Sequence, residues 1–320
     1  MKKMKKVAGM SLAMVMGVTS AAGCGTSAVK MPEEPSEIAK LATERTNALK
    51  SYELSGTAKI DVEAMGESVA ADVTLNAVYF KDPMKMKMDM NVVYGEENMD
   101  MSMYMMKEED SYVMYMGTTV EGTESWMKQT IDSSDEANAA LFKQLEGAEN
   151  NEMVEKYADL YTLSEEKAAD GETALDFTLT ADTLTSIVSE MGMEEQLTEA
   201  GASTEMFAML GDIKAQMTVD NKNVYWKSIK MDLAQNIQGL LDTIMAAYGD
   251  AAGDTTMAVN ACSIEMTYSK YDEATDFELP EAAKDAVDLS DMTGALLGED
   301  AAAEDATTED ATAETEEAAE

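Results

Sequence analysis

Thioether sulfur is the functional group this sequence supplies in greatest excess. Thirty of its 320 residues are methionine. The densest run reads Met84-Lys-Met86-Lys-Met88-Asp-Met90, then Met99-Asp-Met101-Ser-Met103-Tyr-Met105, then Tyr112-Val-Met114-Tyr-Met116. A thioether can ligate a soft cation such as Cu(I). It is also a flexible, polarizable apolar group that fits itself to partners of varied shape. Strict alternation puts successive methionines on one face of a strand. Residues i and i+2 then lie about 7 Å apart, too far to share one ion unless a neighbouring strand supplies another sulfur. Any strand with one buried face needs apolar residues at the same positions. Three uses stay open: core packing alone, core packing that doubles as an apolar ligand pocket, and soft-metal binding. The residues that would line such a pocket are Met86, Met88, Met101, Met103 and Met114.

The rest of the inventory argues against catalysis. The chain has no histidine, so it lacks the usual general base and the commonest metal ligand. Neither a Ser-His-Asp nor a Cys-His set can be assembled. No glycine-rich phosphate loop is present, and Asp250–Asp254 lacks the spacing of a calcium loop. With 63 acidic residues, close carboxylate pairs will arise by chance and identify nothing. The reading is a non-enzymatic protein without a cofactor. The formal charge is −40, with 23 basic residues of which only Arg45 is an arginine. Phosphate backbones need clustered cations, so nucleic acid is excluded as a partner.

Two cysteines are present. Cys24 ends a leader. Lys2, Lys3, Lys5 and Lys6 form a basic start, and Val7 to Thr19 is an apolar stretch too short to cross a bilayer, which takes about 20 residues. Ser20-Ala21-Ala22-Gly23-Cys24 is similar to a bacterial lipobox, with Ala21 where leucine is usual. That similarity implies cleavage after residue 23, acylation of Cys24, and attachment to the extracytoplasmic face of the cell membrane. An ordinary signal peptide with an incidental thiol is the alternative. Gly25 to Pro35 reads as a tether. Cys262 falls on the apolar face of a late strand and is expected to be a buried packing residue.

The elements that position the methionines follow from periodicity. Ser36–Lys50 predicts an amphipathic helix with Ser36 as N-cap. Six alternating strands follow between Tyr52 and Thr130, turning at Met65-Gly66, Lys81-Asp82-Pro83, Tyr94 to Glu97, Lys107 to Asp110 and a glycine-containing turn, as an antiparallel meander. Ser134–Tyr157 is helical in character. Leu160–Ser164 and Thr173–Leu179 suit strands, Asp182 can cap a helix, and a further helix is expected around Thr204–Leu210. A hairpin turns at Asp220 to Asn223, with Tyr225, Lys227, Ile229, Met231 and Leu233 on one face of its second strand. Asn236–Tyr248 fits a helix or an irregular excursion, and Met257–Tyr268 is the last strand. Trp126 and Trp226 are expected to pack structurally, or to stand at a pocket mouth. Glu299–Glu320 carries only small, polar and acidic residues and is expected to be a disordered acidic tail, the end of a region starting near residue 288.

Element order and local motifs together resemble a known family. Asn47-Ala-Leu-Lys-Ser51-Tyr52 opens the first strand and Lys81-Asp-Pro83-Met-Lys-Met-Lys the third. Ser111-Tyr112-Val-Met-Tyr precedes Glu124-Ser-Trp126-Met-Lys128, and Tyr271 with Phe277-Glu-Leu-Pro280-Glu-Ala closes the domain. Over about Ser36 to Ala286 this resembles the LolA/LppX-like lipoproteins, in particular their uncharacterised Gram-positive members. The resemblance implies an α+β fold over residues 36–287: a curved antiparallel half-barrel whose helices plug the concave face around an apolar cavity. It also implies noncovalent binding of a lipid-like ligand, or a ligand-free interaction or sensor role in the cell envelope.

Overall fold

The structure, a computed structural model, describes residues 29–108, 111–120, 122–132, 150–190, 209–248 and 257–289. Helix α1 (Pro35–Asn47) leads into six strands: β1 (Ser51–Ala64), β2 (Glu67–Lys81), β3 (Met84–Tyr94), β4 (Glu97–Glu108), β5 (Ser111–Val120) and β6 (Thr123–Asp132). Helix α2 (Asn150–Tyr157), a single 3-10 turn, β7 (Tyr161–Leu163), β8 (Glu172–Leu179) and α3 (Ala181–Glu190) follow. Then come β9 (Ile213–Asp220), β10 (Trp226–Asp232), α4 (Ala234–Tyr248), β11 (Met257–Ser269), α5 (Glu281–Lys284) and β12 (Val287–Asp288).

All twelve strands share one sheet, in the order β12-β6-β5-β4-β3-β2-β1-β11-β10-β9-β8-β7. Two meanders therefore meet where β1 pairs with β11, and every pairing is antiparallel except β12 on β6. The sheet is open, since β12 and β7 end it without pairing to each other. The fold is α+β, as expected, but the sheet is neither closed nor strongly curled into a barrel. Tight turns keep the first meander in register: Met65 and Gly66 both adopt positive φ, at 55° and 82°. That is the two-residue hairpin geometry whose twist matches the flanking strands.

Alternation sorts the strands into two faces. One carries Tyr52, Leu54, Leu75, Ala77, Tyr79, Met84, Met86, Met88, Met105, Tyr112 and Ile131, all buried, and forms one core cluster with Ile38, Ala39 and Ala42 of α1. Trp226 fixes the helix to it: its indole N–H donates to Thr43 Oγ1 at 2.9 Å and its backbone N–H to Thr46 Oγ1 at 3.0 Å. Arg45 donates to the Asn223 carbonyl at 2.5 Å and lies 5.4 Å above the Tyr225 ring. Val29 and Met31, from the expected tether, also pack against this core. The opposite face is polar, except where a C-terminal strap crosses it. Asp276 pairs with Lys85, and Phe277 packs 6.1 Å from Phe80 and 5.9 Å from Tyr104. The strap ends with Ala283 fully buried and β12 on the edge of β6.

Several expectations need correcting. Ser36 is not the N-cap. Glu34 holds that position without a side-chain bond, and Pro35 opens the helix with the φ its ring fixes. A bulge between Trp226 and Ser228 shifts the phase of β10, so Trp226 enters the core at 3% exposure. Cys262 is half-buried rather than buried. Asn236–Tyr248 lies within helix α4. The leader, Cys24, the acidic tail, most of the Ser134–Tyr157 helix and nearly all of the Thr204–Leu210 helix lie outside the described residues.

Candidate functional site

The strand register turns separate methionine stripes into a grid. Met86 lies opposite Met105, which lies opposite Met114. In the next row Met88, Met103, Met116 and Met127 face one another in turn across four strands, and beyond them Met90 faces Met101. Side chains directly opposite in an antiparallel pair have Cβ atoms about 5 Å apart. Neighbouring strands thus supply the sulfur partners that spacing along one strand does not.

The five residues singled out from the sequence share this face but not one environment. Met86 and Met88 are core residues at 6% and 7% exposure. Met103 and Met114 are half-buried against that core, and Met101 is half-buried farther along. Burial falls steadily along β2 to β5. On β2 Leu75, Ala77 and Tyr79 are buried, Val73 and Ala71 half-buried, and Val69 exposed. On β3 Met90 and Val92 are half-buried and Tyr94 is exposed; on β4 Met101 is half-buried and Met99 exposed. Val120 ends β5 exposed, and on β1 Ile60 is exposed while Val62 and Ala64 beyond it are half-buried. The half of the face beside α1, here the near half, is a closed core. The far half, at the turns after β1, β3 and β5, is apolar and accessible.

Helix α4 borders the far half. β10 ends at Asp232, opposite Ser263, which leaves the start of β11 without a strand on that side. The Gln238 side chain takes the place of one: Oε1 accepts from the Val259 N–H at 2.7 Å and Nε2 donates to the Met257 carbonyl at 3.2 Å. The helix is held at its base by Asn236, which donates to the carbonyls of Leu210 and Asp212 at 2.7 and 2.9 Å. Ile237, Leu240, Leu241, Ile244 and Met245 are all only half-buried. Asp242 is the sole charged residue of α4.

The structure also contains an open cleft of about 1120 Å³, on the polar face. Its floor includes Thr57, Glu265, Lys230, Gln216, Asp176 and Thr162, and none of the five expected methionines lines it. Its groups bond among themselves: Lys230 to Glu265 at 2.9 Å, and Gln216 to Ser164 and Glu166, both at 3.1 Å. A cavity of this polarity does not suit an apolar ligand. Nothing in the sequence marked it, because alternating polar residues on an outer sheet face look the same with or without walls around them.

Reactive chemistry is sparse. Burial and the nearby Asp232 carboxylate raise the Cys262 thiol above its ordinary pKa, which disfavours the thiolate. Among the described residues there is no group of three or more Cys, Asp or Glu placed to hold a metal ion. No described helix is long and apolar enough to cross a membrane.

Comparison with known proteins adds a family and little chemistry. No curated protein matches the chain. Among solved structures, a DUF1329 family protein from Desulfovibrio piger ATCC 29098 aligns over 78% of this chain and 96% of its own, at 14% identity and a TM-score of 0.23. A similarity that loose carries no argument about site or activity. The sequence match is more direct: the model of a family of unknown function, DUF6612, covers residues 34–288, from the turn before α1 to the end of β12, and the chain belongs to that family.

Proposed function

We propose that this protein is an extracytoplasmic lipoprotein, anchored to the cell membrane through Cys24, whose far methionine face binds an apolar, lipid-like ligand noncovalently. The observation that carries this reading is the fall in burial along β2 to β5, from a closed core around Met86 and Met88 to the exposed Met99, Val69, Tyr94 and Val120. A soluble domain rarely leaves a contiguous apolar patch open without a use for it. Burial of apolar surface supplies about 25 cal/mol per Å² before the cost of association. Methionine suits the task because its side chain reshapes around acyl chains of different length. The LolA/LppX-like half-barrel belongs to the same proposal: a sheet that curls further around its apolar face would close the far half over a ligand.

Native mass spectrometry tests the reading, on the chain carrying Cys24→Ser and purified without detergent. Acyl-chain adducts are expected, and Met99→Asp should remove them. Absence of any co-purified or added lipid adduct would sink it in favour of a ligand-free interaction or sensor module.

Soft-metal binding gains one point from the register, since Met88, Met103 and Met116 are consecutive cross-strand neighbours. Cu(I) should then be retained against a weak competing chelator and lost on Met103→Leu. Failure to compete closes that alternative.

A further inference from the structure

The far half of the methionine face is selective in charge, and we infer that its ligand is a cationic amphiphile: an apolar chain bearing a positively charged head group. The inference rests on the apolar-ligand reading of that face and names the class of molecule it takes.

The argument comes from where the lysines are not. Every segment of chain that passes through the far end of the first meander lacks a base: residues 60–80, 88–106 and 108–127 contain neither lysine nor arginine, and nor does 231–269, which spans α4 and all of β11. Acids are frequent in the same segments. Glu67 and Glu97 end their strands on the methionine face itself, two residues from Val69 and Met99, and both are exposed. Glu67 stands opposite Ala64, and Glu97 opposite the half-exposed Tyr94. Glu96 sits in the turn beside it. Among the described residues Lys59 is the base at the edge of these segments, and alternation points it to the polar cleft on the other face. The lysines of β2 to β4 gather at the opposite end instead, at Lys81, Lys85, Lys87 and Lys107. An apolar chain seated on Met90, Val92, Met99 and Met101 would place its head group at the rim, within a Debye length of Glu67 and Glu97. A cation there meets attraction from both carboxylates; an anion meets repulsion and finds no lysine or arginine among the described residues of that rim.

The test is calorimetric titration of the full chain carrying Cys24→Ser with three twelve-carbon amphiphiles below their micelle concentrations: dodecyltrimethylammonium, dodecyl maltoside and dodecyl sulfate. The expected order is ammonium, then maltoside, then sulfate, with about tenfold between the two ions at low salt and less at high salt, as screening requires. Glu67→Lys with Glu97→Lys should abolish or reverse the ionic preference while leaving the maltoside affinity within about twofold. Glu165→Lys with Glu166→Lys makes the same change in net charge at the polar cleft and should leave the preference intact. If the cleft pair shifts it as much as the rim pair, the preference belongs to the charge of the whole protein and the inference falls. Equal or tighter binding of the sulfate also overturns it, with the apolar site standing. Binding of none of the three defeats the apolar-ligand reading itself.

Discussion

On β3 and β4 one residue type occupies two environments. Met86, Met88 and Met105 belong to the same buried cluster as Ile38, Ala39 and Ala42 of α1, at 6% to 7% exposure, while Met99, on the same face of the same sheet, is 38% exposed. Composition, alternation and strand length do not differ between the two halves. The difference lies in what sits above them. The near half meets α1, Trp226 and the tyrosines Tyr52, Tyr79 and Tyr268. Among the described residues, the far half is bordered by the half-buried helix α4 along β11, and the apolar residues of that helix are equally incomplete in their packing. A buried core and an exposed apolar face are thus one continuous surface.

The largest effect that separates the halves comes from placing a charge in each. Met88→Asp puts a carboxylate among Ala77, Met103 and the residues beneath α1, with no cation opposite it. A buried unpaired charge costs more than about 4 kcal/mol, enough to prevent folding of many domains. Met99→Asp sets the same group in water and should cost under about 1 kcal/mol. Urea denaturation followed by circular dichroism checks both. Equal destabilisation would mean that the far half is closed in solution, and the comparison between halves would collapse.

Next in size is the alkaline limit of the near half. Burial raises the phenol pKa of Tyr52, Tyr161 and Tyr268, the last to about 12, with neighbouring tyrosines adding to the first two. An unfolded tyrosine ionises near 10. The folded chain therefore keeps protons that the unfolded chain releases. The stability due to these groups is fully present below pH 10 and is lost as pH climbs through about 10 to 12, at up to roughly 1.4 kcal/mol per pH unit for each tyrosine. Denaturation curves from pH 8 to 11 should show a plateau and then a steep fall, and Tyr268→Phe should make the fall shallower. An unchanged slope in that variant would place Tyr268 in contact with solvent.

How much of this the sequence contained depends on the range of the interaction that decides each feature. The strands of the first meander, the hairpin at Met65-Gly66 and the last strand were legible because period-two alternation and turn residues are local. Even the methionine face was legible. Its division into buried and exposed halves was not, because the near half joins a core shared with α1, and α1 is held by Trp226 through bonds to Thr43 and Thr46 some 180 residues away in the chain. The pairing of β1 with β11 is equally non-local, and it decides that two meanders form one sheet. Where alternation misled, a bulge had reset its phase: the pattern through Tyr225, Lys227 and Ile229 left Trp226 off the apolar face, and the structure buries it. The helix over Asn236–Tyr248 was ambiguous because its apolar residues are plentiful on every side. Its place is settled by a single polar side chain, Gln238, reaching the backbone of β11.

The smallest effects compare how the two helices are fastened. Thr43→Val leaves the Trp226 indole N–H buried without an acceptor, which costs about 1 to 3 kcal/mol. Because Trp226 also stacks 5.9 Å from Tyr161 within the core, that loss should appear in global unfolding. Gln238→Ala removes two hydrogen bonds to the β11 backbone, at Val259 and Met257. Those groups are half-exposed and water can replace the partner, so the cost should be about 1 kcal/mol or less. The loss should also be local: amide exchange at Val259 should rise several-fold while the amides of Met86 and Met88 keep their protection. A matching rise at both places would show that α4 and the near half open together, as a single cooperative unit. Exchange confined to Val259 would mean that the far half, with α4, opens independently of the core, as a face that must admit a ligand requires.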